Sequence, residues 1–559
     1  MAHFFDTAIL GVVALIVVLV YVSGIGSRPK GYPPGPATLP IIGNLHQMPK
    51  TRVHIQFQKW AAQYGALNQN RPIFSLVLGS QVIIVLSSDV AVKDLLDKRS
   101  AIYSSRPDLF LGQTIASGGL RFSLMPYGDT WRMMRRCIHS ILNIRTAKSY
   151  VPYQDLENKQ MLAELLEQPD AFINHLQRYA DSLTTQMVFG FRTVDKDEEH
   201  LKEMFQNFSV FNEVCSSITA GLLDVFPILR YLPDFMVPIK KRARQSHIRE
   251  KNFYLNGWMK TKQQVKDGTA KPSFCVGLMK AQELDKFNDD LAGYTTGVLH
   301  EGGSDTSAAT LTTFIQTMVL HPEVQLRARE ELDRVCGDRL PIMEDEENLP
   351  YVRACVKEVL RCYPIVTTGL PHAVVKDDVY QGYYIPKGAT VILNIWTINR
   401  DPSRYKSPRV YDPTRFLGDT TTAAESAMSP DVSKRDHFTF GAGRRICPGM
   451  HVADRTLFLS ISRLLWGFDF SKAKRLTTGV DGREVWEEVT PDQDDVVDGL
   501  LAHPVPFPAR ITPRSERHAE IIKRAWEDCQ ESLDEKGQWK TLPEGMLSAG
   551  YTPSVDLVY

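Results

Sequence analysis

Cysteine is scarce in this 559-residue chain: eight residues (137, 215, 275, 336, 355, 362, 447 and 529), with no Cys-x-x-Cys spacing. That argues against a disulfide framework or a cysteine zinc site and fits a reducing compartment. An excess of one charge is missing too. Lys+Arg and Asp+Glu stand at 65 each, so no global field draws the chain to nucleic acid, and a charged partner needs a local patch. Glycine turns of the dinucleotide-binding kind are absent. Gly441-Ala442-Gly443 lacks the third glycine, and no other Gly-x-Gly-x-x-Gly or flavin-like segment occurs. Finally, no composition break divides residues 45–514, which favours one large domain over the roughly three or four that length alone implies. Apolar (43%) and charged (23%) contents are ordinary and exclude wholesale disorder.

What is present begins with one long apolar run. Residues 7–27 carry no charge; at about 1.5 Å each, these twenty-one residues reach about 31 Å, enough for a bilayer core. We read a single N-terminal transmembrane helix within residues 1–27. The rival is a cleaved signal peptide, with Ser23, Gly24 and Gly26 near a cut. Against it, Asp6 and no Lys or Arg precede the run, whereas Arg28 and Lys30 follow it and keep the rest cytosolic. Residues 28–44, with Pro33, Pro34, Pro36 and Pro40, form a stiff, extended hinge. Residues 45–514 read as mainly α with small β-sheets. A hairpin spans 74–86 about Gly79-Ser80, and a strand pair runs across 379–385 and 389–393, turning at Pro386-Lys387-Gly388. Helical periodicity is strongest over 289–320, 351–362 and 450–465. Residues 515–559 form a charged C-terminal extension of unknown role, with an amphipathic helix over 515–526. Asn207-Phe208-Ser209 fits a glycosylation pattern, a chance match in a cytosolic domain.

Three constellations carry chemistry. In the run from Phe440 to Gly449, Cys447 sits in a glycine- and arginine-rich loop before the helix over 450–465. A thiolate needs positive charge or a helix N-terminus; Arg444, Arg445 and Pro448, as a first-turn residue, supply both. The glycines let something flat and bulky approach. The bland alternative is a buried structural cysteine. Next, Gly302-Gly303-Ser304-Asp305-Thr306-Ser307 puts two glycines inside a helix at a cost of about 1 kcal/mol each. Close helix packing would explain them, and so would a flat ligand with an acid and an alcohol beside it. Third, Glu358-x-x-Arg361 pairs on one helical face, a weak signal alone.

Together these runs resemble the cytochrome P-450 family. Phe440, Gly443, Arg445, Cys447 and Gly449 match all five defined positions of its haem-binding loop. Residues 302–307 are similar to its oxygen-binding segment, with Ser307 for the commoner threonine. Glu358 and Arg361, followed by Arg415 in Pro413-Thr414-Arg415-Phe416, match its Glu-Arg-Arg triad. The resemblance covers residues 30–514 and implies a P-450 fold holding haem b through an axial Cys447 thiolate. It implies Thr306 beside the reacting oxygen and Asp305 feeding protons through water. Trp131 and Arg135 of a Trp-x-x-x-Arg helix, His372 and Arg445 would meet the haem propionates, and Phe440 would pack beside the thiolate. Glu358, Arg361 and Arg415 would be structural support. For His372 a solvated loop histidine is the other reading. With no reductase segment of its own, the chain implies an NADPH-cytochrome P-450 reductase partner in the same membrane. Lys434, Arg435, Arg444, Arg135 and Arg136 are a candidate basic docking face, or ordinary solvated charges.

By the same analogy the substrate pocket draws on residues 110–122, 298–302, 365–370 and 505–507, mostly apolar or small. The chain departs from the family at 66–71, an insertion that is either a loop or an artefact of gene prediction. Residues 369–374 and 384–391 look most like fungal microsomal members such as the O-methylsterigmatocystin oxidoreductase group. The expected function is a membrane-anchored haem-thiolate monooxygenase on the cytosolic face of the endoplasmic reticulum. It would insert one atom of O2 into a small, mostly apolar substrate in secondary metabolism. The alternatives are oxidative coupling of phenols or indoles, a rearrangement, or a non-catalytic haem carrier or sensor.

Overall fold

The structure, a computed structural model, describes residues 24–65, 73–478, 484–497 and 499–543. The expected N-terminal span lies outside the described residues over 1–23, and so does the 66–71 insertion. Among the described residues no helix is long and apolar enough to cross a membrane. The described chain is mainly helical with small sheets.

After α1 (Val53–Tyr64), strands β1 (Ile73–Leu78) and β2 (Gln81–Leu86) form the expected hairpin, with Gly79 at φ +56° in its turn. The proline-rich hinge is anchored to this hairpin. Arg28 donates to the carbonyls of Gly35 (3.0 Å), Pro36 (2.9 Å) and Ser75 (3.0 Å). Asn44 accepts from Val77 N at 2.9 Å and donates to Pro36 O at 3.1 Å.

The second expected strand pair is wrong in its partners. After the short β3 (His372–Ala373), β4 (Asp378–Tyr380) pairs with β5 (Tyr383–Ile385) about Gln381-Gly382, both at positive φ (+49° and +80°), as a tight hairpin turn requires. β6 (Thr390–Leu393) instead runs parallel to β2 and antiparallel to β3. Its Val391 and Leu393 side chains are buried in the core that the first hairpin opens, a tertiary reward that outweighs a local turn at Gly388.

Helices α2 (Asp129–Leu142), α3 (Val151–Glu167), α4 (Phe172–Phe189), α5 (Glu199–Ser216) and α6 (Pro238–Lys266) precede the long α7 (Asp289–Leu320). Asn288 caps α7 by accepting from Leu291 N at 2.9 Å, and Asp289 and Asp290 occupy its first turn, where the helix dipole favours carboxylates. Pro322 closes it. Helix α7 packs along α4 and α6, and on α8 (Pro350–Cys362) and α9 (Met450–Gly467). The largest apolar cluster gathers Leu311 and Phe314 of α7, Val359 of α8, and Leu464 and Trp466 of α9. Burying each such side chain contributes about 1.5–3 kcal/mol. The effect is to fix α7 and the loop before α9 against one scaffold.

β7 (Phe468–Thr478) lies between β8 (Glu484–Val489) and β11 (Ala509–Pro513), and the short β9 (Val496–Val497) pairs with β10 (His503–Pro504). The C-terminal extension then packs on the helical domain. Ser515 caps α10 (Glu516–Gln530), and Ile522 is wholly buried in the main core. Further on, Trp539 Nε1 donates to Gln186 Oε1 at 2.7 Å, and Gln538 exchanges hydrogen bonds with the Arg192 backbone. Asn207 of the glycosylation pattern is buried within α5, and all eight thiols are free.

Candidate active site

The loop carrying Cys447 is shaped by its glycines. Gly441 and Gly443 hold φ of +78° and +63°. A Cβ on Gly443 would come within 2.0 Å of Leu96 O, so only glycine fits, and its amide donates to Asp97 Oδ1 at 2.8 Å. Cys447 N donates to Phe440 O at 2.9 Å, folding the loop back on itself. The sulfur lines a cavity of about 390 Å³, shared with α7, α2 and the segments before β3 and α9.

Burial pushes the Cys447 thiol up, opposed by the backbone amides of Gly449 and Met450 and by the Arg135 charge. Two sequence expectations are corrected here. Arg444 and Arg445 are not the charges at the sulfur: Arg444 donates to Tyr127 OH at 2.6 Å, and Arg445 to Ser104 O and Met125 O. Pro448 precedes the helix rather than opening it, because Gly449 is the N-cap of α9.

One wall of the cavity is strongly cationic. Arg106, Arg135, Arg445 and His372 line it with Trp131. Arg445 Nη1 and Trp131 Nε1 are buried N–H groups with no hydrogen-bond acceptor. Burial, and then repulsion from Arg106 and Arg135, brings Arg445 down to about 8; burial brings Arg106 down to about 9. His372 Nδ1 donates to Tyr103 O at 2.7 Å, and burial with the Arg106 charge pushes the ring down to about 3, so it is not a solvated loop residue. Such crowded, desolvated donors call for anions. Two carboxylates on a flat apolar body, as in the propionates of a haem, satisfy them, with Phe440, Ile365, Ala453 and Leu457 as apolar neighbours. The residues therefore fit a haem over Cys447.

Helix α7 supplies another part of the lining. Gly302, Gly303, Thr306, Ser307 and Thr310 line the cavity, and Thr306 Oγ1 donates to Gly302 O at 2.6 Å. The two glycines differ in what they face: Gly303 allows close helix packing, and Gly302 opens on the cavity. A Cβ on Gly303 would meet Thr184 Oγ1 of α4 at 2.6 Å, whereas a Cβ on Gly302 would meet nothing within 4 Å. Asp305 is not among the lining residues; burial raises its carboxyl to about 6, against the pull of His503.

Glu358, Arg361 and Arg415 meet as a buried network. Arg361 donates to both oxygens of Glu358 at 2.6 and 2.7 Å, Arg415 Nε reaches Glu358 Oε1 at 3.3 Å, and Asp412 N donates there at 2.9 Å. Arg361 also holds Asn399 O at 2.7 Å; Asn399 Oδ1 accepts from Phe438 N at 2.9 Å, and Thr439 donates to Leu360 O at 2.6 Å. That chain ties α8 to the base of the cysteine loop.

Other expectations change. Arg435 is buried, donating to His437 O and Gly441 O under the Phe438 ring, so it leaves the docking face. Arg136 pairs with Asp285 at 3.1 Å, and Lys434 is exposed. Of the expected pocket segments, 110–122 contributes only Arg121 and Phe122, and 505–507 contributes nothing; Leu500 and Leu501 take that wall, and Phe507 packs in the main core. Phe208 and Phe211 of α5 and the cation Arg106 also line the cavity. No sequence pattern marks these three residues.

Comparison with known proteins agrees with this geometry. The cytochrome P-450 family profile matches residues 33–478. The chain is 50% identical over 548 residues to the cytochrome P-450 monooxygenase virE of Hypocrea virens, covering 98% of this chain and 97% of that one. It is 50% identical to the monooxygenase fogE of Aspergillus ruber (96% and 97% covered) and 47% identical to fsoB of Humicola fuscoatra (94% and 95%).

Proposed function

Because the chain belongs to the cytochrome P-450 family, we propose that it is a haem-thiolate monooxygenase that inserts one oxygen atom into a small, mostly apolar substrate of fungal secondary metabolism. The observation that carries this reading is that Cys447 and Thr306 line one cavity, whose cationic wall has donors without acceptors. Haem, when bound, supplies the activation of O2.

The chain's residues do the rest. Cys447 Sγ would hold the haem iron, with the Gly449 and Met450 amides and Arg135 favouring its thiolate form. Arg445, Arg106 and Trp131 would donate to the propionates, and His372 would join them as the imidazolium that those carboxylates stabilise. The Thr306 hydroxyl, bonded at rest to Gly302 O, would turn to present a proton at the cavity, and Asp305 one residue before it, raised by burial to about 6, would resupply that proton. Phe122, Val298 and Leu500 exclude water.

Membrane anchoring by residues 1–27, a cytosolic orientation at the endoplasmic reticulum and electron supply from NADPH-cytochrome P-450 reductase complete the proposal. A surface feature supports the membrane part. Ile218, Ile228, Tyr231, Phe235 and Met236 are exposed, Phe235 by 83%. Gly26 N donates to Gly79 O, and that hairpin tip abuts Val225 and Phe226. The chain thus emerges from its N-terminal run beside an apolar patch suited to lipid.

Cys447→Ser tests the core of the proposal. The haem-loaded variant should lack the thiolate-type carbon monoxide difference band that the wild type shows; survival of that band refutes the assignment. Oxygen-isotope incorporation from O2 into product supports insertion, and an unlabelled product points to coupling.

A further inference from the structure

One polar cluster interrupts the apolar part of the cavity. Arg121, from the segment before α2, and Glu301, one residue ahead of Gly302 on α7, both line the cavity among Phe122, Phe208 and Phe211. Arg121 Nη1 donates to Glu301 Oε2 at 2.6 Å, Nη2 donates to Glu250 of α6, and Nε donates to Ser117 Oγ at 3.2 Å. Tyr254 donates its hydroxyl to Glu301 Oε1. Phe211 covers the guanidinium face at 3.6 Å from Cζ.

Two features decide what this cluster can accept. The guanidinium is engaged at every nitrogen, by two carboxylates, a tyrosine and a serine, and Phe211 covers one face. The carboxylates are not fully engaged. Each oxygen of Glu301 accepts one bond and has room for a second, and Glu250 Oε2 is buried without a partner. Two carboxylates also outnumber one guanidinium, and burial raises Glu250 to about 7, which relieves the excess. An incoming carboxylate would add negative charge beside Glu301, where the one guanidinium is already engaged. An incoming O–H donor would complete Glu301. The cluster lies five residues from Thr306, about 7.5 Å along the helix axis.

We propose that Glu301, held in place by Arg121 and Tyr254, accepts a hydrogen bond from a hydroxyl group of the substrate, which is therefore an apolar molecule bearing a neutral alcohol or phenol and not a carboxylate. The proposal rests on the monooxygenase reading and adds a substrate class to it.

The test uses haem-loaded protein whose carbon monoxide band has been verified, so that failure of the haem-thiolate reading shows first and separately. Equilibrium dialysis compares 4-butylphenol, its methyl ether 4-butylanisole, and 4-butylbenzoate. A hydrogen bond to a charged acceptor makes the phenol bind about tenfold or more tighter than the ether, with the benzoate weakest. Glu301→Gln should remove most of that preference by weakening the phenol and leaving the ether unchanged. Equal binding of phenol and ether by the wild type, or tightest binding of the benzoate, overturns the proposal. The wild-type comparison decides even if the variant does not fold.

Discussion

Adjacent glycines of α7 should respond in opposite directions to the same added methyl group. Replacing glycine by alanine inside a helix stabilises it by about 1 kcal/mol where the new Cβ meets no obstacle. Gly302→Ala meets none: no atom lies within 4 Å of its Cβ. At Gly303 the Cβ falls 2.6 Å from Thr184 Oγ1 and 2.9 Å from its Cγ2. Thr184 cannot turn aside freely, because it is buried on α4 and its hydroxyl donates to Ala180 O at 2.8 Å. Overpacking costs about 1–3 kcal/mol, and a lost hydrogen bond about 1 kcal/mol more. Set against the propensity gain, Gly303→Ala should be about 1–3 kcal/mol less stable than wild type and Gly302→Ala about 1 kcal/mol more stable. Urea unfolding followed by circular dichroism measures both. A parallel haem titration should show Gly302→Ala binding more weakly, since its methyl enters the cavity. Equal destabilisation by the two substitutions, or a stabilised Gly303→Ala, would refute the division of roles.

Glu358→Ala leaves the Arg361 charge buried and unmatched, which should cost about 3–5 kcal/mol in urea and lower haem occupancy; a loss under about 1 kcal/mol contradicts the network's role. His437 is buried beside Phe440, and burial brings it down to about 4. Its stabilising contribution is therefore complete above the ordinary histidine range, near pH 6.5, and lost as pH falls toward 4. At about 1.4 kcal/mol per pH unit the loss approaches roughly 3 kcal/mol. His437→Asn should flatten the acid side of the stability profile between those values, and an unchanged slope counts against it. Thr306→Ala should retain haem yet send reducing equivalents to hydrogen peroxide, measured as peroxide released per NADPH consumed; unchanged coupling rejects the proton role of the hydroxyl.

The legible parts of this molecule are those whose cause is local. Cys447 is recognisable because Gly443 and Gly449 must flank it closely for the loop to turn and the helix to start. The long α7 is recognisable because thirty-two residues of helical pattern end at His321-Pro322. Partners chosen across the fold are not legible in this way. The strand over 390–393 carries a plausible turn on its N-terminal side, yet pairs with residues three hundred positions earlier, because only there are Val391 and Leu393 buried. Arg106 and Arg435 look like any other arginine in the chain. Their roles come from burial against Pro371 O and Gly441 O. Arg121 sat inside a segment that reads as apolar, and only folding brings it to Glu250 and Glu301.

The C-terminal extension has a consequence for the order of assembly. Ile522 fills a place in the main core, and Trp539 lies tilted against Tyr153 while donating to Gln186. The groups that Trp539 contacts are made more than three hundred residues earlier, and residues 516–543 leave the ribosome after them. The helical domain cannot close its own interior during synthesis. Its packing is completed only once residues 516–543 have been made.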